Sequence, residues 1–246
     1  MRYEELTIEG RNAVLEAFRS GKTIDKVFVL EGCQDGPIKT ILREAKKHGT
    51  MVKFVSKDRL DNMSETKKHQ GVIAYAAAYN YATVEDILAK AEEAGEPPFI
   101  FLLDGIEDPH NLGAIIRTAE AAGAHGVIIP KRRSASLNAT VFKTSAGAAS
   151  WLPVARVSNL AATIDMLKEN GVWIYGTDGE GQSYTEVKLT GPIGLIVGSE
   201  GFGMGRLIKD KCDFLLSLPM AGKVNSLNAS VAAGIFMYEA VRQRNL

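Results

Sequence analysis

FIFLLDGIEDPHNLGAIIRTAEAAGAHGVIIP, residues 99–130, opens on an apolar run that stops at Asp104 and Gly105. An apolar run without polar alternation suits a strand buried on both faces. The segment NLGAIIRTAEAAG, 111–123, reads as a helix ending at Gly123, because glycine takes the left-handed C-terminal position at least cost. GVIIP, 126–130, reads as the next strand. Strand, helix and strand in this order predict a parallel sheet with helices on its faces.

The pattern continues to the C-terminus. VSNLAATIDMLKENG, 157–171, reads as a helix with Ser158 as its cap. VWIYGTDG (172–179), IGLIVGSEG (193–201) and FLLSLP (214–219) read as strands, and SLNASVAAGIFMYEAVRQRN (226–245) as the last helix. Residues 99–246 are therefore expected to form one α/β domain. Ligands of such sheets bind beyond the carboxyl ends of the strands.

Upstream, residues 1–78 read as a smaller α/β unit. Helices are expected at GRNAVLEAFRSG (10–21), closed by Gly21, at IKTILREAKKHG (38–49), and at KDRLDNM (57–63), capped by Ser56. Strands are expected at KVFVLE (26–31), MVKFV (51–55) and GVIAYAAAY (71–79). Between the two units, 79–98 reads as a linker carrying one helix. Thr83 and Asp86 make a capping box there, Gly95 ends the helix, and the consecutive prolines Pro97 and Pro98 stop regular structure.

Composition narrows the class. The chain has 246 residues, 46% of them hydrophobic and 24% charged, with a formal net charge of zero. That is the profile of a globular protein. A nucleic-acid partner would have to be met by a local basic patch, since the whole molecule is not basic. The N-terminal stretch has no apolar core of a signal peptide, and no run approaches membrane-span length. Cys33 and Cys212 lie far apart, which fits two reduced thiols in a cytoplasmic protein. The four histidines show no metal-ligand spacing, so no metal is expected.

Three loops carry unusual residues, each after an expected strand. In the first, Asn111 stands near a helix start and Arg117 lies on a helix of small and apolar residues. A plain reading makes Asn111 a cap and Arg117 a solvated cation. Flanked by apolar groups, however, a guanidinium suits an anionic partner such as phosphate. The second loop, VGSEGFGMG (197–205), spaces its glycines at 198, 201, 203 and 205. Such spacing lets backbone approach a ligand closely, and it matches neither a dinucleotide fingerprint nor a P-loop. Glu200 inside it argues against a phosphate and for a cationic or hydroxyl-rich ligand. The third, PMAGKVNSLNAS (219–230), gathers Ser226 and Asn228 beside Leu218, Met220 and Leu227. One cap residue would suffice for the helix that follows, and here several polar groups converge.

NLGAIIRTAEAAG, LIVGSEGFGM and LPMAGKVNSLNASVAAG together resemble, in order and spacing, the three motifs of the SpoU (TrmH) family of RNA 2'-O-ribose methyltransferases, of the SPOUT class. IEGRNAVLEAFRSGKTIDKVFV (8–29) resembles the ribosomal-protein-L30e-like substrate-binding domain of some members. Asn225 is one departure from the family's third motif. The resemblance is greatest to the bacterial 23S rRNA guanosine-2'-O-methyltransferase type. It implies an α/β knot, a trefoil-knotted, mainly parallel sheet, behind a smaller L30e-like α/β domain. It implies a homodimer with S-adenosylmethionine (SAM) as methyl donor and RNA, foremost 23S rRNA, as partner. It implies Asn111, Arg117, Glu200, Ser226 and Asn228 as catalytic residues, and Thr177, Gly179, Ile196, Gly198, Leu218, Met220 and Leu227 as SAM contacts. Lys131, Arg132 and Arg133, after a strand on the presumed catalytic side, are the foremost candidates for RNA phosphate contacts. Two alternatives are a tRNA methyltransferase of the same family and a non-catalytic RNA-binding ribosome-assembly factor.

Overall fold

The computed structural model describes residues 6–20, 22–76 and 80–244. Up to Asn80, together with Ser136–Ala139, the chain makes one compact unit; Tyr81–Ala135 and Thr140 onward make another.

The first unit runs β1 (Leu6–Glu9), α1 (Arg11–Arg19), β2 (Ile24–Leu30), α2 (Gly36–Lys47), β3 (Met51–Val55), α3 (Lys57–Met63) and β4 (Val72–Ala76). Its sheet has the order β1-β4-β2-β3, with β4 antiparallel to β1 and β2, and β3 parallel to β2. Successive strand residues face opposite ways. Val27 and Val29 accordingly join Val14, Phe18, Ile38 and Ile41 in one cluster, while Phe28 joins Val55, Leu60 and Ile73 in another. Asp35 caps α2, accepting the Ile38 N–H at 3.2 Å. Ser56 stands at the cap position of α3 as expected, but its side chain makes no capping bond. The expected stop at Gly21 lies outside the described residues.

The second unit begins inside the segment expected as a linker. There α4 (Val84–Ala94) starts on the expected capping box, with Thr83 and Asp86 bonded reciprocally at 2.7 and 3.1 Å. Its Val84, Ile87 and Ala91 are buried. A Cβ on Gly126 would lie 2.5 Å from Ile87 side-chain carbons, so α4 packs directly on the sheet. Residues 81–98 are part of this unit because the apolar face of α4 has a sheet to cover.

The remaining elements are β5 (Phe99–Asp104), α5 (Pro109–Ala121), β6 (Gly126–Pro130), α6 (Ala139–Thr144), a short turn of helix at Ala148–Ser150, β7 (Val154–Val157), α7 (Leu160–Glu169), β8 (Trp173–Ser183), β9 (Ile193–Gly198), α8 (Arg206–Lys211), β10 (Phe214–Ser217) and α9 (Ala229–Arg244). Asn159 caps α7 through its Oδ1, which accepts the Ala162 N–H at 3.1 Å. The cap is thus one residue beyond the expected Ser158.

The six strands are all parallel, in the order β10-β8-β9-β5-β6-β7. Phe99 to Leu103 are buried without interruption, which is why the run lacks polar alternation. Ile100 and Leu102 pack with Ile87, Ile164, Leu167 and Ile208. On the other side, Arg244 of α9 places its guanidinium 4.6 Å over the Phe99 ring. From β5 the chain proceeds to β6 and β7 on one side, whereas β9, β8 and β10 lie on the other. The reversal falls between β5 and β9, whose last residues, Asp104 and Gly198, are paired. Binding sites of open α/β sheets form at such a reversal.

Candidate active site

The loop that leaves β9 is a tight hairpin. Ser199 and Gly203 exchange backbone hydrogen bonds of 3.0 and 2.9 Å. Gly203 takes φ 63°, a left-handed conformation that suits glycine. Gly198 faces the returning strand so closely that a Cβ there would lie 2.3 Å from the Gly203 carbonyl carbon. Asp104, at the end of β5, holds the outgoing chain through the Gly205 N–H at 2.7 Å. This fixes Glu200 at the carboxyl end of the sheet.

Asn111 and Asn228 meet Glu200 there. Asp108 caps α5, accepting the His110 N–H at 3.0 Å, which leaves the Asn111 side chain free for other partners. Asn111 Nδ2 donates to Glu200 Oε1 at 2.9 Å, and Asn228 Nδ2 donates to Asn111 Oδ1 at 3.0 Å. Asn228 Nδ2 also bonds Glu200 Oε1. The same carboxylate oxygen accepts the Ala229 N–H at 3.1 Å, at the positive end of α9. Asn228 in turn caps α9, its Oδ1 accepting the Ser230 N–H at 3.0 Å and the Val231 N–H at 3.3 Å. Two asparagines and a glutamate, one from each motif, are thereby locked into a single network.

Beside this network opens a cleft of about 530 Å³, a volume suited to a nucleoside-sized ligand. Thr177, Gly179, Gly198, Leu218, Met220 and Leu227 all line it, and so do Ser226 and Glu200. Ile196 does not. Its side chain is fully buried in the core, because alternate residues of β9 turn to opposite faces. Among the residues that sequence reasoning left out are Asp178, Ser217 and Phe236. Asp178 enters because β8 breaks register against β10: Gly176 pairs with Leu215, and the next pair is Gln182 with Leu216. The looped-out residues are braced by Lys209, 2.9 Å from Asp178. Burial pushes the Asp178 carboxyl up, and Lys209 and the Glu180 N–H outweigh it, so the group ends below the usual carboxylate value.

Arg117 stands apart. Six residues beyond Asn111 on α5, it lies roughly 9 Å along the axis and about 120° around it. It is exposed, and among the described residues it has no hydrogen-bond or ion-pair partner. Lys131, Arg132 and Arg133 follow β6 at the carboxyl end of the sheet, the same edge as the cleft. Arg132 and Arg133 are exposed, while Lys131 is half-buried. Burial pulls the Lys131 ammonium below its ordinary value, and the charge of Arg156 adds to this. Among the described residues, no group of three or more histidine, cysteine, aspartate or glutamate side chains is placed to hold a metal ion.

The model of the SpoU rRNA methylase family matches residues 98–238, and that of the RNA 2'-O ribose methyltransferase substrate-binding domain matches residues 7–82. The chain belongs to the SpoU (TrmH) family. Bacillus subtilis YacO, assigned to the TrmH family of tRNA/rRNA methyltransferases, is 51% identical over 96% of this chain and 95% of its own. A Staphylococcus saprophyticus protein assigned to the same family is 50% identical over 98% of this chain and 97% of its own. The SpoU methyltransferase AviRb of Streptomyces viridochromogenes, solved with bound SAM, superposes with a TM-score of 0.63 at 27% identity, covering 98% of this chain and 91% of its own. A SAM-bound rRNA methyltransferase from Sinorhizobium meliloti superposes with a TM-score of 0.60 at 26% identity, over 97% and 87% of the two chains. This SpoU protein is an RNA methyltransferase, and its methyl donor is SAM.

Proposed function

We propose that this SpoU protein methylates a ribose 2'-hydroxyl of RNA, and that its target is a guanosine of 23S rRNA. The observation that carries the reading is the Asn111–Glu200–Asn228 network at the edge of the 530 Å³ cleft. The cleft residues suit the donor. Leu218, Met220 and Leu227 offer apolar surface for an adenine, and Glu200 and Asp178 offer negative charge to a cation. When bound, SAM supplies a methyl group already activated for transfer. The protein's task is then to place a hydroxyl in line with it.

In this reading Asn111, Ser226 and Asn228 orient the acceptor ribose, and Glu200 holds the two amides in place. Arg117 grips the phosphate next to the acceptor and polarises its hydroxyl. A guanidinium keeps its proton in proteins, so a clamp accounts for Arg117 better than a base does. Its exposed position away from the network supports a homodimer in which the Arg117 of one protomer serves the cleft of its partner. The exposed Val231 and Tyr238 of α9, 51% and 52% accessible, support an apolar contact between copies. Lys131, Arg132 and Arg133 hold the RNA backbone, and the first unit holds the RNA substrate. The trefoil threading of the chain through residues 197–228 and a place in the cytoplasm belong to the same proposal. No helix among the described residues is long and apolar enough to cross a membrane.

The test uses SAM carrying a deuterated methyl group and RNA from cells lacking the gene. Labelled 2'-O-methylguanosine in nucleosides released from 23S rRNA is the expected product. Label in transfer RNA alone would move the substrate to tRNA, and label on a base would overturn the ribose reaction.

A further inference from the structure

The hairpin at residues 199–203 lines two cavities. One is the donor cleft. The other, of about 600 Å³, is lined by Asp104, Glu107, Arg133, Phe202, Met204 and neighbouring glycines, and it shares Ser199 and Gly203 with the first. Its composition is unusual for a surface hollow. Phe202, at the hairpin tip, is 96% exposed, the most exposed of the large apolar side chains described. A phenylalanine ring left in water offers a flat apolar face to a ligand, and a nucleobase fits it because every base has a π-face. Arg133 supplies a cation to the same cavity, held in a left-handed conformation at φ 54°. Glu107 is exposed and, among the described residues, makes no hydrogen bond or ion pair. Asp104, by contrast, is engaged with the Gly205 N–H.

From these three groups, and resting on the ribose-methylation reading above, we infer that this second cavity holds the acceptor nucleotide itself as a guanylate. The base stacks on Phe202, its Watson–Crick edge meets the Glu107 carboxylate, and its 5'-phosphate meets Arg133, which leaves the phosphate on the 3' side, next to the 2'-hydroxyl, to Arg117. The choice of guanine follows from donor and acceptor placement. A carboxylate has only acceptors. Guanine turns two adjacent donors to it, N1–H and the 2-amino group, whereas adenine and cytosine turn a ring-nitrogen acceptor and uracil brackets its one N–H with carbonyls. Bases that enter a pocket singly are read on this edge. The shared hairpin explains how base and methyl donor are kept adjacent: moving Ser199–Gly203 would move both walls at once.

The test is calorimetry on the full-length protein saturated with S-adenosylhomocysteine, titrated with GMP, AMP, CMP and UMP at one fixed salt concentration. GMP should bind at least about tenfold more tightly than the other three, in line with an edge contact that pairs two donors. Phe202→Ala should weaken GMP at least about tenfold, as loss of base stacking does, and Phe202→Tyr should restore it. Glu107→Gln should erase the preference for GMP over AMP, with S-adenosylhomocysteine affinity unchanged in every variant. Absence of GMP binding, equal binding of AMP, or wild-type GMP affinity in both Phe202→Ala and Glu107→Gln would overturn the assignment. RNA methylation separates it from the reading beneath. If the wild-type protein methylates ribose and both variants keep its KM, the pocket falls and the reaction stands. If GMP binds as described and no ribose is methylated, the reaction falls and a guanylate pocket remains.

Discussion

Asn111 and Glu200 are 89 positions apart in sequence, yet the amide of one donates to the carboxylate of the other at 2.9 Å. The contact ties the first helix after β5 to the hairpin after β9, across the point where the sheet reverses. Glu200 Oε1 accepts three donors, from Asn111, Asn228 and Ala229. Glu200→Ala should remove this acceptor from all three, leaving Asn228 only its bond to Asn111 Oδ1, lowering stability by about 1 kcal/mol and slowing methyl transfer far more. Glu200→Gln still offers a carbonyl oxygen, so its methylation rate should lie between those of Glu200→Ala and the wild type. Thermal melts and single-turnover methylation check both. Equal rates for Glu200→Ala and wild type would remove Glu200 from the site.

Asn228 has two separable duties, and substitution can part them. Its Oδ1 caps α9, and its Nδ2 serves Asn111 and Glu200. Asn228→Ala should cost about 1 kcal/mol of stability through the lost cap and should also impair methyl transfer. Asn228→Asp keeps a cap oxygen but replaces the donor with a second carboxylate facing Glu200. It should impair catalysis as badly as Asn228→Ala while retaining the capping contribution. If Asn228→Asp were fully active, the Nδ2 contacts would have no catalytic role.

Glycine spacing in the second motif makes a sharp comparison. A Cβ on Gly198 would strike the Gly203 carbonyl carbon at 2.3 Å, whereas a Cβ on Gly201 meets nothing within 4 Å. Gly198→Ala must displace backbone, a strain of about 1–3 kcal/mol, and it should weaken SAM binding in calorimetry because Gly198 lines the cleft. Gly201→Ala should bind SAM as the wild type does. Reversal of this order would mean that the hairpin does not shape the donor site.

The buried strands were legible because Phe99–Leu103 and Ile193–Val197 are apolar without a break, and a sheet covered on both faces demands that. The edge strand β7 was not, since Val154–Val157 is short and follows a proline. Helices α6 and α8, six residues each, are too short to show a helical repeat. Asn111, Glu200 and Asn228 stood out through the resemblance to three motifs, but their mutual contact is a product of the sheet's reversal and could not be read from any one motif. The side chain of Ile196 is turned into the core while its neighbour Val197 lines the cleft, a choice of face that an unbroken apolar run does not reveal. The register break that brings Asp178 to the cleft falls where Gly176, Gly179 and Gly181 interrupt the strand, and glycines inside a strand mark such irregularities.

Cys212 gives a pH prediction away from the site. Burial pushes its thiol up to about 11, with Asp213 adding to the effect. A thiol that ionises less readily folded than unfolded favours the native state up to its unfolded value, and that advantage is lost as pH rises through the folded one. Native stability should therefore fall between about pH 9 and about 11. Cys212→Ala should show a shallower fall over that window. Denaturant melts of the two proteins at matched pH decide it, and parallel curves would refute the assignment.

Arg117 offers the decisive test of the proposed composite site. It is exposed and set about a third of a turn away from the face that carries Asn111. If Arg117 clamps the acceptor phosphate, Arg117→Ala should slow single-turnover methylation by about a hundredfold or more, the scale of loss expected when a reactant is mispositioned. SAM affinity should stay near wild type, because Arg117 is not among the residues lining the cleft. Arg117→Lys keeps the charge but loses the planar fork, and it should also be badly impaired. Mixing Arg117→Ala with Gly198→Trp then asks whose arginine serves whose cleft. In a dimer with shared sites, the cleft of the first variant and the arginine of the second make one intact site, and methylation should return. A verified heterodimer that stays inactive would mean that each chain completes its own site, and wild-type rates for Arg117→Ala would end its catalytic role altogether.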